Sequence, residues 1–444
     1  MKLFKPALAV VLGTATTVWT IADAQASSFA LRENSAIGTG ESYAGAVSGN
    51  YDLSTIYNNP AGMTAFTGIE AEGGATLIAP SGHLSNVSGH NVYGTALTDT
   101  DERDPTQTKV VPSGYVLWAP SEDWRLGLAI TSPFGLATSY SGTSAVRYQA
   151  LETEITSIDI NPDVAYRVND WLSVGGGFTV EKIKAKLTNA LDLGGIVGSE
   201  LGEGALLSQS ADGRSDVVGT SWGVGWNLGI QVMPWGPDTT IGLAYRSEIK
   251  QKLSGRADFT VPSSLAAIIA ATGQLTKTSG TADLTLPGNA WIGITHHFTS
   301  RLAVDASYQY TQWSSFKTLQ IDFENPNQAS YIRPENYRDS SFVSLGANYQ
   351  LTDLWTVRAG TAFDQTPVQA RYRDYRIPDG NRYWLTGGAT YQVTPDIAIS
   401  GSYAHLFIDS SNVKQTNVSA LYDTVSATTN VDADIVSIST TIKF

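Results

Sequence analysis

Ser221-Trp222-Gly223-Val224-Gly225-Trp226-Asn227-Leu228-Gly229-Ile230-Gln231-Val232-Met233 is the stretch that decides the fold of this chain. Its even-numbered residues are all apolar, and the odd-numbered residues between them are glycine, asparagine or glutamine. Because a strand points alternate side chains to opposite faces, this stretch predicts one apolar wall and one polar or small wall. The same alternation recurs at residues 301–312, 341–351 and 434–444. A soluble sandwich also alternates, but these segments exceed the usual length of about five or six residues and carry aromatic ends, which is typical of a membrane barrel.

Short polar turns join the alternating segments in pairs. They occur at residues 122–124, 169–171, 299–302, 352–355 and 394–397. Tight turns suit the periplasmic end of a barrel, whereas the other connections of this chain are long and polar. The spacing predicts an all-β fold, a closed antiparallel transmembrane barrel of about 14 strands.

Both ends of the chain support export to a membrane. Lys2 and Lys5 precede an apolar or small stretch, and Ala24-Gln25-Ala26 fits a signal-peptidase site, so residues 1–26 are predicted to be a signal peptide. The alternative, a membrane anchor helix, is disfavoured because the apolar stretch is short and broken by threonines. The last segment alternates up to Phe444, an ending that is common in bacterial outer-membrane barrels and is read by the barrel-assembly machinery. The alternative there is an ordinary edge strand.

Composition excludes several functions. The 444 residues carry a net charge of -13, which argues against a nucleic-acid partner because phosphates require a basic surface. There is no cysteine, so disulfides, thiolate zinc sites and cysteine nucleophiles are excluded. We predict neither a metal nor a cofactor.

Residues 27–65 differ from the rest, because they alternate poorly and are rich in small and polar residues. The lumen of a barrel this wide cannot be filled by side chains alone. We therefore predict an N-terminal hatch that plugs the barrel formed by residues 66–444. The alternative is a periplasmic tail.

An ordered set of motifs resembles the FadL/TodX family of outer-membrane transporters. They lie at residues 29–35, 59–61, 132–138, 245–248, 311–316, 359–368 and 377–385. The resemblance implies a 14-stranded barrel with an internal hatch in the outer membrane of a Gram-negative cell, surrounded by outer-membrane lipid. It implies uptake of long-chain fatty acids or other hydrophobic compounds without catalysis, and we expect a monomer.

The resemblance also implies an inner ligand pocket and a lateral exit. Phe29, Lys184 and Arg338 match positions near the inner pocket, where the two cations would meet a carboxylate; the alternative is that both are surface cations. The exit would lie at an interrupted third strand. The residues assigned to it are Ser132, Pro133 and Gly135, with the hatch turn Asn59, Pro60 and Ala61 as the partner that holds the interruption open. Proline and glycine both mark an interrupted strand, and the alternative is a plain bulge.

Two apolar insertions stand where the family forms an extracellular capture groove. The groove residues would be Leu191, Leu193, Ile196, Val197, Leu201, Leu265, Ile268 and Ile269. Exposed apolar loops are costly unless they bind something apolar or each other, so mutual packing is the alternative.

Two other functions compete with hydrophobic uptake. One is a general or gated porin for small polar solutes, which would lack a plug. The other is a lipid-modifying enzyme, because Gly219-Thr220-Ser221-Trp222-Gly223 fits the G-x-S-x-G pattern. That pattern needs a strand-turn-helix context, whereas here it opens an alternating strand.

Overall fold

The computed structural model describes residues 28–97, 104–419 and 422–444, and the predicted signal peptide lies outside them. The described residues contain twenty strands. These are β1 (Ile69–Asn91), β2 (Lys109–Trp118), β3 (Trp124–Thr131), β4 (Gly135–Ser139), β5 (Glu152–Asn169), β6 (Leu172–Asp192), β7 (Asp212–Val232), β8 (Thr239–Arg246), β9 (Ile249–Thr260), β10 (Thr278–Leu286), β11 (Asn289–His297), β12 (Leu302–Thr311), β13 (Thr318–Phe323), β14 (Tyr331–Pro334), β15 (Ser340–Gln350), β16 (Trp355–Asp364), β17 (Arg382–Thr394), β18 (Ile397–Ile408), β19 (Ser411–Ser419) and β20 (Tyr422–Lys443).

Helices are few and short. They are α1 (Ala36–Gly40), α2 (Thr55–Asn58), α3 (Leu193–Glu200), α4 (Gly204–Leu207), α5 (Ala266–Thr272) and 3-10 turns at Pro60–Ala65 and Trp313–Ser315. None of the helices in the described ranges is long and apolar enough to cross a membrane.

Fourteen antiparallel strands close into a barrel, which confirms the predicted fold and strand number. Their order around the ring is β1, β2, β3, β5, β6, β7, β8, β11, β12, β15, β16, β17, β18, β20. The ring closes where β20 pairs with β1, from Lys443 opposite Glu70 to Tyr422 opposite Asn91. The last residue continues this pairing, since the Phe444 N–H donates to the Ile69 carbonyl at 2.9 Å.

The predicted apolar walls face outward. In β7, Trp222 and Val224 are 59% and 67% exposed, whereas Asn227 and Gln231 are buried toward the lumen. This is the reverse of a soluble sandwich, whose apolar faces turn inward. In lipid the arrangement is stable because outward apolar side chains meet acyl chains and the pairing of β20 with β1 leaves no free first or last strand.

The two ends of the barrel differ in their connections. All five predicted short turns join consecutive barrel strands at one end; β17 and β18, for example, are separated only by Pro395 and Asp396. At the other end the connections are long and carry structure of their own. There β9 pairs with the far part of β7 and with β10, β13 pairs with β14, and β19 pairs with the far part of β20.

Residues 28–66, the N-terminal segment, lie inside the ring. Val47, Leu53, Ile56 and Met63 of this segment are fully buried. The segment comes very close to the wall at inward-facing glycines, which form a belt around the lumen. The belt comprises Gly127, Gly175, Gly229, Gly242, Gly293, Gly346, Gly360 and Gly388.

The belt explains how the segment fits so closely. A Cβ on Gly175 would lie 2.6 Å from the carbonyl carbon of Pro60, and one on Gly346 would lie 2.8 Å from the Glu41 carbonyl oxygen. Side chains at these positions would push the segment away from the wall, so glycine is required for the observed approach.

Candidate functional site

The third wall strand is interrupted, as Pro133 and Gly135 predicted. β3 ends at Thr131 and β4 begins at Gly135, and both pair with β5. On the other side, β2 pairs with β3 only from Gly114 to Trp118, opposite Ile130 to Leu126. Within the described residues, residues 109–113 of β2 and residues 135–137 of β4 are therefore not paired with each other, and no other wall strand fills the space between them. This opening in the wall is referred to below as the portal.

The portal is closed at the long-connection end of the barrel and is occupied from inside. At the long-connection end, the Ser139 N–H donates to the Pro105 carbonyl at 2.7 Å. Inside, the Leu31 N–H donates to the Pro133 carbonyl at 2.8 Å, and the Gly135 N–H donates to the Phe29 carbonyl at 2.9 Å. Residues 29–31 therefore pair with the interruption as a short antiparallel strand.

This pairing corrects one prediction. Asn59, Pro60 and Ala61 are not the residues hydrogen-bonded to the interruption. They seat against the glycine belt at Gly175 and Gly229, and the Asn59 side-chain amide donates to the Val47 carbonyl at 2.7 Å. The partner of Ser132, Pro133 and Gly135 is instead the start of the N-terminal segment.

The portal opens into a cavity of about 280 Å³, the portal cavity. Leu31, Phe134, Leu136 and Ile155 contribute apolar side chains to its lining. Val110 also lines it and is 63% exposed on the outer wall, so the cavity reaches the membrane-facing surface.

A second cavity of about 90 Å³, the aromatic cavity, adjoins the first and shares Ile155 and Ile377 with it. Phe29 and Phe316 line it, and Phe29 also stands edge-on against the buried Trp313, with ring centroids 4.8 Å apart. Edge-to-face aromatic packing fixes ring positions more tightly than aliphatic contact does. Phe29 therefore connects the N-terminal segment, which fills the inner side of the portal, to the wall of the aromatic cavity.

A third cavity of about 250 Å³, the outer cavity, lies at the long-connection end and is lined by Tyr148, Leu191, Phe259 and Leu275 among others. It shares four residues with the aromatic cavity. These are Leu187, Val217, Ile321 and Arg376. The three cavities thus form one series from the long-connection end to the portal.

Arg376 is the cation at the junction of the outer and aromatic cavities. It is 5% exposed, and its guanidinium donates to Thr153 Oγ1 at 3.4 Å and to the Thr188 carbonyl at 3.3 Å. In the described part of the chain its Nε has no hydrogen-bond partner. An arginine that retains an unused N–H in an apolar space is suited to bind an anionic group.

Two acids stand near Arg376. Glu335 and Asp374 line the aromatic cavity, and carboxylate oxygens of both lie within ion-pair distance of Arg333 Nε, at 3.2 and 3.1 Å. Burial, reinforced by the charge of Asp374, raises the pKa of Glu335 to about 8. Glu335 is therefore mostly protonated at neutral pH.

The portal end of the series has its own charges. Asp379 and Arg382 line the portal cavity and form an ion pair at 3.1 Å. Asp379 accepts from the Ser28 N–H at 2.7 Å, and Arg382 donates to the Ser28 carbonyl at 3.1 Å. The start of the N-terminal segment is thus held by Asp379 of the connection before β17 and by Arg382, the first residue of β17.

Lys184 is a second correction. Its neighbours Glu181 and Ile183 face the lumen and are fully buried, so Lys184 points to the outer surface, where it is exposed. It cannot contribute to an inner pocket.

Arg338 is not in the lining of these cavities either. Its N–H donates to the Pro367 carbonyl at 3.0 Å, and its neighbour Tyr337 is the residue that packs into the aromatic cluster around Phe29. The sequence reasoning missed Arg376, because that residue lies in a long connection without periodicity.

The predicted groove residues divide into two groups. Leu193, Val197 and Ile269 are buried in one cluster, with Leu191 and Leu265 packed against it, so α3 and α5 do pack on each other. Ile196, Leu201 and Ile268 remain exposed, with Leu201 at 66%. Mutual packing and an exposed apolar surface therefore coexist at the long-connection end.

Comparisons with known proteins agree with this architecture. A "Long-chain fatty acid transport protein" of Salmonella typhi is 31% identical over 413 residues, covering 90% of this chain and 91% of the relative. The crystal structure of a Pseudomonas aeruginosa FadL homologue matches with a TM-score of 0.86 and 25% identity, covering 94% of this chain and all of that one.

The Ralstonia pickettii toluene transporter TbuX has the same fold, with a TM-score of 0.64, 22% identity and coverage of 91% of this chain and 99% of the other. The family model described as "Outer membrane protein transport protein (OMPP1/FadL/TodX)" matches residues 17–444. Its members are outer-membrane transport proteins and not enzymes, which confirms the predicted location and excludes the lipid-modifying enzyme. The chain therefore belongs to the OMPP1/FadL/TodX family of outer membrane transport proteins.

Proposed function

We propose that this protein takes up long-chain fatty acids or other hydrophobic compounds across the outer membrane and releases them sideways through the portal. The observation that carries the proposal is the series of outer, aromatic and portal cavities, which runs from the long-connection end to an opening in the wall. The similar proteins whose names specify a cargo are transporters or channels for long-chain fatty acids, toluene and monoaromatic hydrocarbons, which all have a large apolar part.

Capture would begin at the exposed residues Ile196, Leu201 and Ile268. An apolar chain that leaves water for such a surface gains roughly 0.8 kcal/mol per buried CH2. The outer cavity lies next to this surface, since Leu191 and Leu275 belong both to its lining and to the cluster of α3 and α5.

Arg376 would hold a carboxylate while the acyl chain occupies the aromatic cavity. This assigns to Arg376 the role that the family resemblance implies for Lys184 and Arg338. A neutral hydrocarbon would use the same apolar walls without the arginine.

Release would require residues 29–31 to leave the interruption. While they are paired there, they fill the inner side of the portal, so a ligand in the aromatic cavity meets Phe29 before it reaches the lipid. A hydrophobic ligand released sideways enters lipid directly and avoids a wet lumen.

The N-terminal segment would act as the hatch, so a general porin is disfavoured. Its buried seat on the glycine belt occupies the lumen through which polar solutes would have to pass. Each barrel carries its own cavities and portal, so we infer that a monomer suffices, and that Phe444 presents the last strand to the barrel-assembly machinery.

The direct test is uptake by cells that lack their own transporter of this kind. Cells producing the protein at the surface should accumulate labelled oleate or toluene faster than cells with an empty vector. Mass spectrometry of the protein purified in mild detergent should detect a bound hydrophobic compound. Failure of every hydrophobic substrate, together with increased entry of small sugars, would favour the porin instead.

A further inference from the structure

Two lysines that are not part of the cavities stand together on the outer wall of the barrel. Lys182 and Lys184 are exposed and alternate along β6 with the buried Glu181 and Ile183, so both point away from the lumen. Residues two apart on one strand face are separated by about 7 Å, close enough for both ammonium groups to contact one anion.

These lysines stand directly above the apolar band. The outward-facing residues of β6 before them are Leu172, Val174, Gly176, Phe178 and Val180. At about 3.3 Å per residue, Lys182 lies roughly 33 Å along the strand from Leu172, which is about 25 Å of height for a strand tilted by about 40°, the height of the apolar band of an outer-membrane barrel. Trp222 faces Lys182 in the register of β6 and β7, and Lys182 Nζ lies 5.6 Å from the centre of its ring. Tryptophan marks the boundary between acyl chains and headgroups, which places both lysines at headgroup level on the long-connection side.

Neighbouring cations have acidic partners within 4 Å, and these two lysines have none among the described residues. Lys186 Nζ lies 2.6 Å from Glu152, Arg256 lies 2.7 Å from Asp258, and Lys250 lies 3.4 Å from Glu248. Glu154, the acid one row above Lys184, is bound by Lys109 at 2.9 Å. Lys182 and Lys184 are therefore available to an anion from outside the chain.

Hydroxyl groups complete the site. Thr156 of β5 and Thr220 of β7 are paired on either side of Lys184, and both are exposed on the same outer face. Two ammonium groups between two hydroxyl donors match the acceptor oxygens of a phosphate.

We propose that Lys182 and Lys184, flanked by Thr156 and Thr220, bind a phosphate group of a phosphorylated lipid in the outer leaflet. We assign a lipid and not a free anion to this site because the site borders the apolar band and Trp222, where the acyl chains of the same molecule would lie. It lies on the outer face of the barrel beside the portal, whose cavity Thr156 also lines, and it does not depend on the proposed cargo.

Native mass spectrometry of the purified protein in detergent tests this site. The probes are a bisphosphorylated acylated glucosamine disaccharide and the same lipid without its phosphates. The variant Lys182→Gln/Lys184→Gln should bind the phosphorylated lipid about tenfold more weakly and the other lipid equally well. Lys250→Gln/Lys277→Gln, which removes the same charge from two paired lysines, should bind like the parent protein, and Lys182→Arg/Lys184→Arg should retain binding.

Several outcomes would overturn the proposal. One is an equal loss in both glutamine variants, which would indicate a general charge effect. Another is unchanged binding in Lys182→Gln/Lys184→Gln. A third is full displacement of the lipid by inorganic phosphate at equal concentration, which would assign the site to a free anion. The heat-dependent gel shift of a folded barrel shows that each variant is assembled. If the double glutamine variant fails to assemble, the single variants Lys182→Gln and Lys184→Gln test the site, since each should bind the phosphorylated lipid more weakly than the parent protein does.

Discussion

Ala30 and Phe134 face each other as an isolated antiparallel bridge, and this bridge joins the beginning of the N-terminal segment to the interruption of the barrel wall. The pairing uses the backbone of a strand end that has no neighbour on its other side. The N-terminal segment therefore provides hydrogen-bond partners for the backbone of the wall where β2 does not pair with it. A movement of only a few residues would break these hydrogen bonds.

A disulfide at this bridge should lock the portal. Bridged antiparallel residues have Cα atoms about 4.5–5.5 Å apart, which suits a disulfide, and the chain has no other cysteine. Oxidised Ala30→Cys/Phe134→Cys should lose nearly all uptake of labelled oleate, and dithiothreitol should restore it. Each single cysteine variant should take up oleate at the same rate before and after treatment with oxidant or with dithiothreitol. Full uptake by the oxidised variant would mean that residues 29–31 need not move.

Straightening the interrupted strand should also block uptake. A Cβ on Gly135 would lie 2.7 Å from Leu31 Cδ1, so Pro133→Thr/Gly135→Val expels the segment and restores a donor to the wall. We expect an assembled barrel that takes up neither oleate nor toluene. Gly142→Val is the matched control, because a Cβ there meets nothing within 4 Å. Unchanged uptake of both substrates would show that ligands leave elsewhere.

Arg376→Gln should separate acids from esters. A hydrogen bond to a charged group contributes about 1.5 to 3 kcal/mol, so oleate affinity should fall by roughly 10- to 150-fold while methyl oleate affinity changes little. Binding to the purified protein, followed by tryptophan fluorescence, measures both. Lys184→Gln, on the outer surface, should leave both affinities unchanged. Equal losses for acid and ester would remove Arg376 from headgroup binding.

Oleate affinity should also depend on pH through Glu335. Its pKa is raised to about 8, so the carboxyl group is neutral below that pH and becomes charged above it. A second anion beside the bound carboxylate repels it, so affinity should be full below about pH 7 and decline as the pH rises through about 8. Isothermal titration between about pH 6 and about pH 9 should show this decline for oleate but not for its ester. Glu335→Gln should abolish it; a decline that persists in this variant would implicate another group.

Deleting residues 27–61 of the precursor should produce a leaky barrel, because a wide lumen without its contents fills with water. Single-channel recording in planar bilayers should show a large steady conductance, against a small one for the full protein. The hatch proposal is wrong if the shortened barrel inserts and conducts no better.

Much of the barrel could be predicted from the sequence because the period of two is a local signal. Trp222 to Val232 identify their own outward face without reference to any other strand. Whether the side chain of Lys184 points into the lumen or outward is harder to predict, because polar residues occupy both faces of β6 beyond the apolar band. Only the burial of Ile183 beside it fixes the direction.

The site depends on contacts that no local pattern encodes. Arg376 donates to Thr153 and Thr188, which precede it by 223 and 188 residues. Residues 29–31 meet Pro133 about a hundred residues later, and a proline with a nearby glycine announces an interruption but not its partner. Motif order indicated the family, yet it could not show which turn of the hatch reaches the opening.

The glycine belt has a consequence for the order of assembly. Its members come from β3 through β17, so the seat of the N-terminal segment does not exist until most of the wall has been laid down. The residues synthesised and exported first are therefore among the last to find their place. Until the ring is nearly complete, the N-terminal segment lacks the buried seat that the belt provides, and any delay in closing the wall lengthens the time for which the segment can be cleaved.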